Sequence, residues 1–305
     1  MKKGSCRCRK TLQSKRLRLK KPKVLLFVIG RLFLKRLVTN NSAIIGGSLI
    51  IILAILAIIG PNIASEGINQ HDYTKQLLGP TAENWFGTDQ YGRDILSRIL
   101  HGMSTTFIIG FGSVAIAASV GITIGVISGY YGGMIDTIVM RIMDILLAFP
   151  SIVLALAIVA TLGSGLENII LAIAVSSFPV FARIARGSTL AVRKLEYIDA
   201  VRALGASDGR IIFKHILPNT LSPLIVQTTL SIATGVLAAA GLSFLGLGAP
   251  EPSPEWGSML NDGRNYMYQA PHMTYFPGLA IVLFVIAFNI FGDGIRDALD
   301  PKLKR

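Results

Sequence analysis

Six stretches of this chain are apolar over the length that a membrane crossing needs: residues 43–59, 107–127, 138–160, 168–184, 221–240 and 275–291. A bilayer core of ~30 Å takes about 20 residues of α-helix, so each run predicts one span. The only charges inside them are Arg141, Asp144 and Arg183, all near one set of ends. Three polar segments between spans are long enough to have tasks: residues 60–102, 186–219 and 241–274. Within the first, Ile95, Leu96, Ile99, Leu100 and Met103 share one helical face, with Arg93, Ser97, Arg98 and His101 on the others. That division predicts a helix lying in the membrane interface. Residues 24–37 predict a second amphipathic helix, leading from a basic tail into the first span. No small-residue cleavage pattern follows them, which argues against a secretory signal.

Lysine and arginine fix the expected orientation. With the N-terminus inside, 26 of the 30 basic residues fall on inner segments, and only Lys75, Arg93, Arg98 and Arg264 fall outside. Acidic residues divide almost evenly, nine outside and eight inside, as expected when basic residues set topology. The prediction is an all-α integral membrane protein with six spans and both termini in the cytoplasm. It has a basic tail over residues 1–42 and a transmembrane domain over residues 43–305.

Composition agrees with the pattern. Hydrophobic residues make up 51% of the 305, charged residues 15%, and mean hydropathy is +0.57. Too little polar surface remains to cover a water-facing globule, and the same numbers exclude disorder. The net charge of +13 would suit nucleic acid, but its segregation to inner segments assigns it to topology. Cys6 and Cys8 sit together in the tail; they neither form a disulfide framework nor complete a zinc site.

No engine for chemistry is apparent. A phosphate-binding loop needs Gly-Lys-Ser/Thr, and the chain contains no Gly-Lys pair. His71, His101, His215 and His272 are scattered, with no metal-binding spacing. Gly205-Ala206-Ser207-Asp208-Gly209 matches the nucleophile-elbow pattern in letters only, because that motif needs a strand before it and a helix after it within an α/β sheet. Ser207 is better read as the N-cap of a helix starting at Asp208. The chain is therefore read as carrying no catalytic residues, no metal site and no cofactor of its own.

Three constellations remain. Ser113, Ala117, Gly121, Gly125 and Gly129, continuing to Gly133, form a small-residue ridge on the second span that permits close helix approach, whether in static packing or at a moving interface. Arg141 and Asp144, three apart, share a face and can pair. The most informative is the inner segment EYIDAVRALGASDGRIIFKHILPN, residues 196–219. It predicts two short helices joined at Gly205, the second ended by Leu217-Pro218. Ile198, Val201 and Leu204 would line one helix, and Ile211, Ile212, Ile216 and Leu217 the other. Such a pair presents an apolar knob among charges to a cytoplasmic partner.

That segment resembles the EAA coupling loop of ABC importer permeases: Glu-Ala-Ala, three residues, Gly, nine residues, Ile-x-Leu-Pro. Asp199, Ala200, Val201, Gly205, Leu217 and Pro218 fall in register, with Asp199 for Glu, Val201 for Ala and His215 at the Ile position. GTDQYGRDILSRILHG (87–102), GYYGGMID (129–136), MRIMDILLAFP (140–150) and GDGIRDALDP (292–301) resemble the dipeptide, oligopeptide and nickel branch, C-type subunit. The basic tail has no counterpart in that pattern.

The resemblance implies a type I importer permease in a bacterial plasma membrane. Its partners would be a second, homologous permease forming a heterodimer, two cytoplasmic ATPases holding ATP and Mg, an extracytoplasmic binding protein, and membrane lipid; no nucleic acid is implied. Glu196, Asp199, Ala200, Val201, Leu204, Gly205, Leu217 and Pro218 would couple to the ATPases. Gly121, Gly125 and Gly129 would pack helices, and Trp256, Glu255 and Asp262 would meet the binding protein. The cargo would be di- or oligopeptides, with a nickel or other metal complex as the alternative. A secondary transporter would instead be expected to show inverted repeats and midplane charges.

Overall fold

The computed structural model describes residues 36–64, 67, 71–248 and 253–299. The basic tail, both cysteines and nearly all of the expected lead-in helix (24–37) lie outside them. Among the described residues every regular element is helical, and one isolated antiparallel bridge joins Thr88 and Asp94 in a loop.

Helix α1, Asn41–Ile63, starts where the Asn40 side chain accepts a bond from Ala43 N at 3.1 Å. Its 23 residues reach about 34 Å, enough to cross a bilayer. Helix α2, Ile95–Tyr131, is far longer than the second apolar run because it begins at an Asp94 N-cap well outside it. The expected interfacial helix is therefore the first turns of a span. Arg93, Ser97 and Arg98 are buried there, because neighbouring elements cover the faces that the sequence pattern leaves open.

The third apolar run is broken. Helix α3, Gly133–Ala148, and helix α4, Ser151–Leu162, meet at 89°. Pro150 carries no N–H and drives Phe149 into extended backbone (ψ 136°), so the helix cannot run through. Helix α5, Leu166–Arg193, passes well beyond the fourth run. After it come α6 (Glu196–Ala203) and α7 (Asp208–Ile211), then a π-turn at Ile212–Ile216 that feeds α8, Leu217–Leu242. A second π-turn, Ser243–Leu247, leads toward the short α9, Trp256–Arg264, and α10, His272–Leu299, closes the bundle. Five of these elements are long and apolar enough to cross a membrane, and the bent α3–α4 pair makes six when its two arms are counted as one span.

Two glycine seams set the packing. A Cβ on Gly125 of α2 would lie 2.8 Å from Ala185 Cβ on α5, and one on Gly121 would lie 2.6 Å from Phe181 Cβ. Across the bundle, a Cβ on Gly294 of α10 would stand 2.7 Å from Ala43 Cβ on α1. Between these seams Phe107, Phe284 and Phe288 stack and tilt against one another at centroid distances of 4.7 to 6.4 Å.

Candidate functional site

Helix α6 has eight residues, too few to persist alone in water. Glu196 and Asp199 in its first turn and Arg202 in its last suit the helix dipole, and the fully buried Ile198 ties it to the bundle. It closes where Gly205 adopts φ 79°, with Gly205 N donating to Arg202 O at 2.9 Å and Ala206 N to Val201 O at 3.3 Å. Nothing lies within 4 Å of a Cβ placed on Gly205, so the glycine is required by backbone conformation and not by space. Ser207 takes the N-cap position of α7 but makes no side-chain cap bond.

Leu217-Pro218 does not end the helix, contrary to expectation. Pro218 occupies the first turn of α8, where its missing N–H loosens the ladder into the preceding π-turn without breaking it. Ile211 and Ile216 are fully buried beneath this stretch, with Ile212 and Leu217 half-buried, as the spacing predicts.

Polar contacts anchor the helix pair from above. Tyr130 donates its hydroxyl to Asp208 at 2.6 Å, and the Arg202 guanidinium stands 5.9 Å over the Tyr130 ring. Asn219 donates to the Tyr197 hydroxyl at 3.2 Å and to His215 O at 2.6 Å. Partial burial pushes the Tyr197 phenol above its ordinary value.

Leu204 departs from its predicted place beside Ile198 and Val201. At the C-cap the chain has already turned off the helix, and the side chain is 87% exposed. Ala200 and Phe213 are also exposed and Val201 is half-buried. On the same helix Glu196, Asp199 and Arg202 flank Ala200 and Leu204, the last two charges 3.5 Å apart, whereas Phe213 lines an apolar groove with Ile122, Val126, Ile127 and Tyr131 of α2. The arrangement offers a small apolar prominence within a charged rim, held by buried isoleucines, and it suits insertion into a partner's groove.

The ridge on α2 is an internal seam. Ser113, Ala117, Gly121, Gly125 and Gly129 are all buried, with the glycines packed on α5. Gly133 lies beyond it, with φ 59° and open space around it. The Arg141–Asp144 pair does not form; Asp144 accepts from Arg183 on α5 at 2.7 Å. One turn away along α5, Arg186 binds Asp136 through both oxygens at 2.5 and 2.6 Å, a contact 50 residues apart in sequence that no local pattern signals.

At the outer end the structure overturns one expectation. Trp256 is only 1% exposed. Its Nε1 donates to Ile99 O at 3.1 Å and its ring meets Phe284 edge-on, so it offers no surface to a docking protein. Glu255 is buried too, accepting from Gly257 N and Ser258 N as the N-cap of α9. Burial raises its pKa above the ordinary carboxyl range. Asp262 is half-buried and lines a small cavity with Asp89, Gln90, Arg98 and Met273. Beside it Arg93 and Arg98 both face Asp89, at 2.6 and 3.8 Å, all three buried. Among the described residues no group of three or more His, Cys, Asp or Glu is placed to hold a metal ion.

Comparison with known proteins bears on the whole chain. The family described as "Binding-protein-dependent transport system inner membrane component" matches residues 121–305, and "N-terminal TM domain of oligopeptide transport permease C" matches residues 29–80. The dipeptide transport system permease protein DppC of Alkalihalophilus pseudofirmus is 49% identical over 88% of this chain and 89% of its own. The glutathione transport system permease protein GsiD of Pectobacterium atrosepticum is 46% identical, covering 90% and 91%. Among solved structures, a chain of the MetNI methionine ABC transporter in an inward-facing conformation superposes with a TM-score of 0.55 at 21% identity, covering 67% of this chain and 97% of that one.

Proposed function

The chain belongs to the family of binding-protein-dependent transport system inner membrane components, and on that premise we propose that it is the C-type permease of an importer for di- or oligopeptides. The protein is a multi-pass component of the bacterial inner membrane. In this reading a homologous permease completes the pathway, two cytoplasmic ATPases bind ATP and Mg, and an extracytoplasmic binding protein delivers the peptide. Similarity to dipeptide and glutathione permeases over nine-tenths of the chain supports the peptide cargo.

The observation that carries the reading is the α6–α7 pair. It is too short to be stable alone, anchored by the buried Ile198, Ile211 and Ile216, and exposes Ala200 and Leu204 beside Glu196, Asp199 and Arg202. A groove that grips this prominence differently with and without ATP biases the bundle between two arrangements. Outward opening receives cargo and inward opening releases it.

The test is uptake in proteoliposomes containing both permeases, the ATPases and the binding protein. Radiolabelled dialanine or glutathione should enter only with ATP, and radiolabelled nickel should not. Ala200→Arg should abolish uptake while the chain stays inserted, because a long charged side chain blocks close approach. Uptake by Ala200→Arg at the wild-type rate would remove α6 as the docking element. Topology is checked in a variant lacking Cys6 and Cys8: a cysteine at Tyr268 should label from outside, and one at Leu204 only from inside.

A further inference from the structure

We propose that Asp136 and Arg186, supported by Asp144 and Arg183, link the docking helices to the broken span and act as positioning residues for translocation. The proposal rests on the reading of α6 as the ATPase-docking element.

Helix α3 is hardly packed into its own chain. Of its 16 residues only Met143 is buried, while Met134, Ile138, Ile142 and Ile145 are exposed. Its two ends are joints. At one, Gly132 and Gly133 both hold positive φ (69° and 59°), with open space around Gly133. At the other, Phe149-Pro150 sets the 89° bend into α4. A rigid rod between two joints takes its direction from whatever grips its middle.

The strongest grip comes from α5. Arg186 Nε and Nη2 donate to the two Asp136 oxygens at 2.5 and 2.6 Å, and Ser128 Oγ adds a third bond at 2.5 Å. Two turns further along α3, Arg183 Nη2 donates to Asp144 Oδ1 at 2.7 Å. A planar guanidinium on a planar carboxylate fixes angle as well as distance. Apolar contacts on so exposed a rod would let it slide; two ion pairs set its orientation. The same stretch of α5 runs unbroken to Arg193, where Lys194 and Leu195 alone separate it from α6. A tilt imposed on α6 therefore turns α5, and the paired arginines turn α3 with it, swinging α4 about the Pro150 bend.

The experiment uses the assembled transporter in proteoliposomes, reading receptor-stimulated ATP hydrolysis and uptake of dialanine or glutathione, whichever the wild type takes up. In Asp136→Asn and in Arg186→Gln, uptake should fall about tenfold while hydrolysis stays within about twofold, so that transport per ATP collapses. Arg186→Lys keeps the charge without the paired geometry and should lose about threefold. The exchanged pair, Asp136→Arg with Arg186→Asp, should recover most of the ratio. Asp144→Asn, at the more exposed pair, should cost about twofold.

Single variants with a wild-type ratio overturn the linkage. So does a parallel loss of hydrolysis and uptake that the exchange leaves unrescued, since that marks a purely structural pair. A wild-type assembly that neither recruits ATPases nor takes up either peptide instead refutes the importer reading beneath it.

Discussion

The two ends of the bundle solve opposite problems. At the outer end Trp256, Glu255, Asp89, Arg93 and Arg98 are all buried, and each side chain bonds or ion-pairs with a group of the same chain. At the inner end Leu204, Phe213 and Tyr197 are exposed, and the Asp199–Arg202 pair is open to solvent. The first end keeps these groups inside, although its loops expose Trp85, Met267 and Tyr268. The second leaves apolar area unpaid by its own chain, which is stable only beside membrane or partner protein. Residue type alone is thus a poor guide to an exposed surface: the tryptophan belongs to the core, and a leucine at a helix end stands open.

Exchanging those two residue types breaks the comparison most directly. Trp256→Ala should lower stability by about 3–5 kcal/mol, the usual cost of emptying a buried aromatic site. Leu204→Ala should change it by less than about 0.5 kcal/mol, as at an ordinary surface position, yet lose ATPase binding in pull-down. Thermal unfolding of the purified protein in detergent checks both. A stable Trp256→Ala protein with impaired receptor docking would return Trp256 to the interface.

A smaller effect sharpens the inner end. Gly205→Val should cost about 1–2 kcal/mol, because the strain comes from φ 79° and not from crowding. Asparagine tolerates that region, so Gly205→Asn should retain most of the uptake that Gly205→Val loses. Equal loss in both would mean that the turn needs open space as well as positive φ.

The smallest effect concerns pH at the outer end. With the folded Glu255 pKa raised by burial, its contribution to stability is full below the ordinary value of 4.5 and is lost as pH climbs through the raised value. Glu255→Gln keeps an oxygen for the α9 cap and has no charge to bury. It should flatten that dependence, at the cost of one of the two cap bonds. A mutant unfolding profile that still falls over the same pH range would assign the effect to another group.

The fold was legible where local chemistry decides it. Apolar runs located the crossings, the positive φ at Gly205 followed from its place between two short helices, and the burial of Ile198, Ile211 and Ile216 followed from spacing. Local reasoning failed where a distant element intervenes. Arg93 and Arg98 look like exposed faces until Asp89 draws both inward and Met259 and Met273 close beside Arg98, and Asp144 looks like the partner of Arg141 until α5 brings Arg183 alongside. The bend at Pro150 was masked by an unbroken apolar run. The proline marks where the chain turns, but the 89° depends on what α4 packs against, namely the buried contacts of Ala155 and Val159 with α5 and α8.

The glycine seam between α2 and α5 also imposes an order on the making of the protein. Gly121, Gly125 and Gly129 enter the bilayer with α2, but Phe181, Ala182 and Ala185 arrive only after α3 and α4 have been synthesised. At about 5–20 residues per second the groove stands open to lipid for a few seconds. Lipid chains fill it until α5 displaces them, and close backbone packing then makes the exchange favourable. The newborn chain thus crosses the membrane several times before its central pair can close, and any factor that delays release of α2 into lipid would spare it that wait.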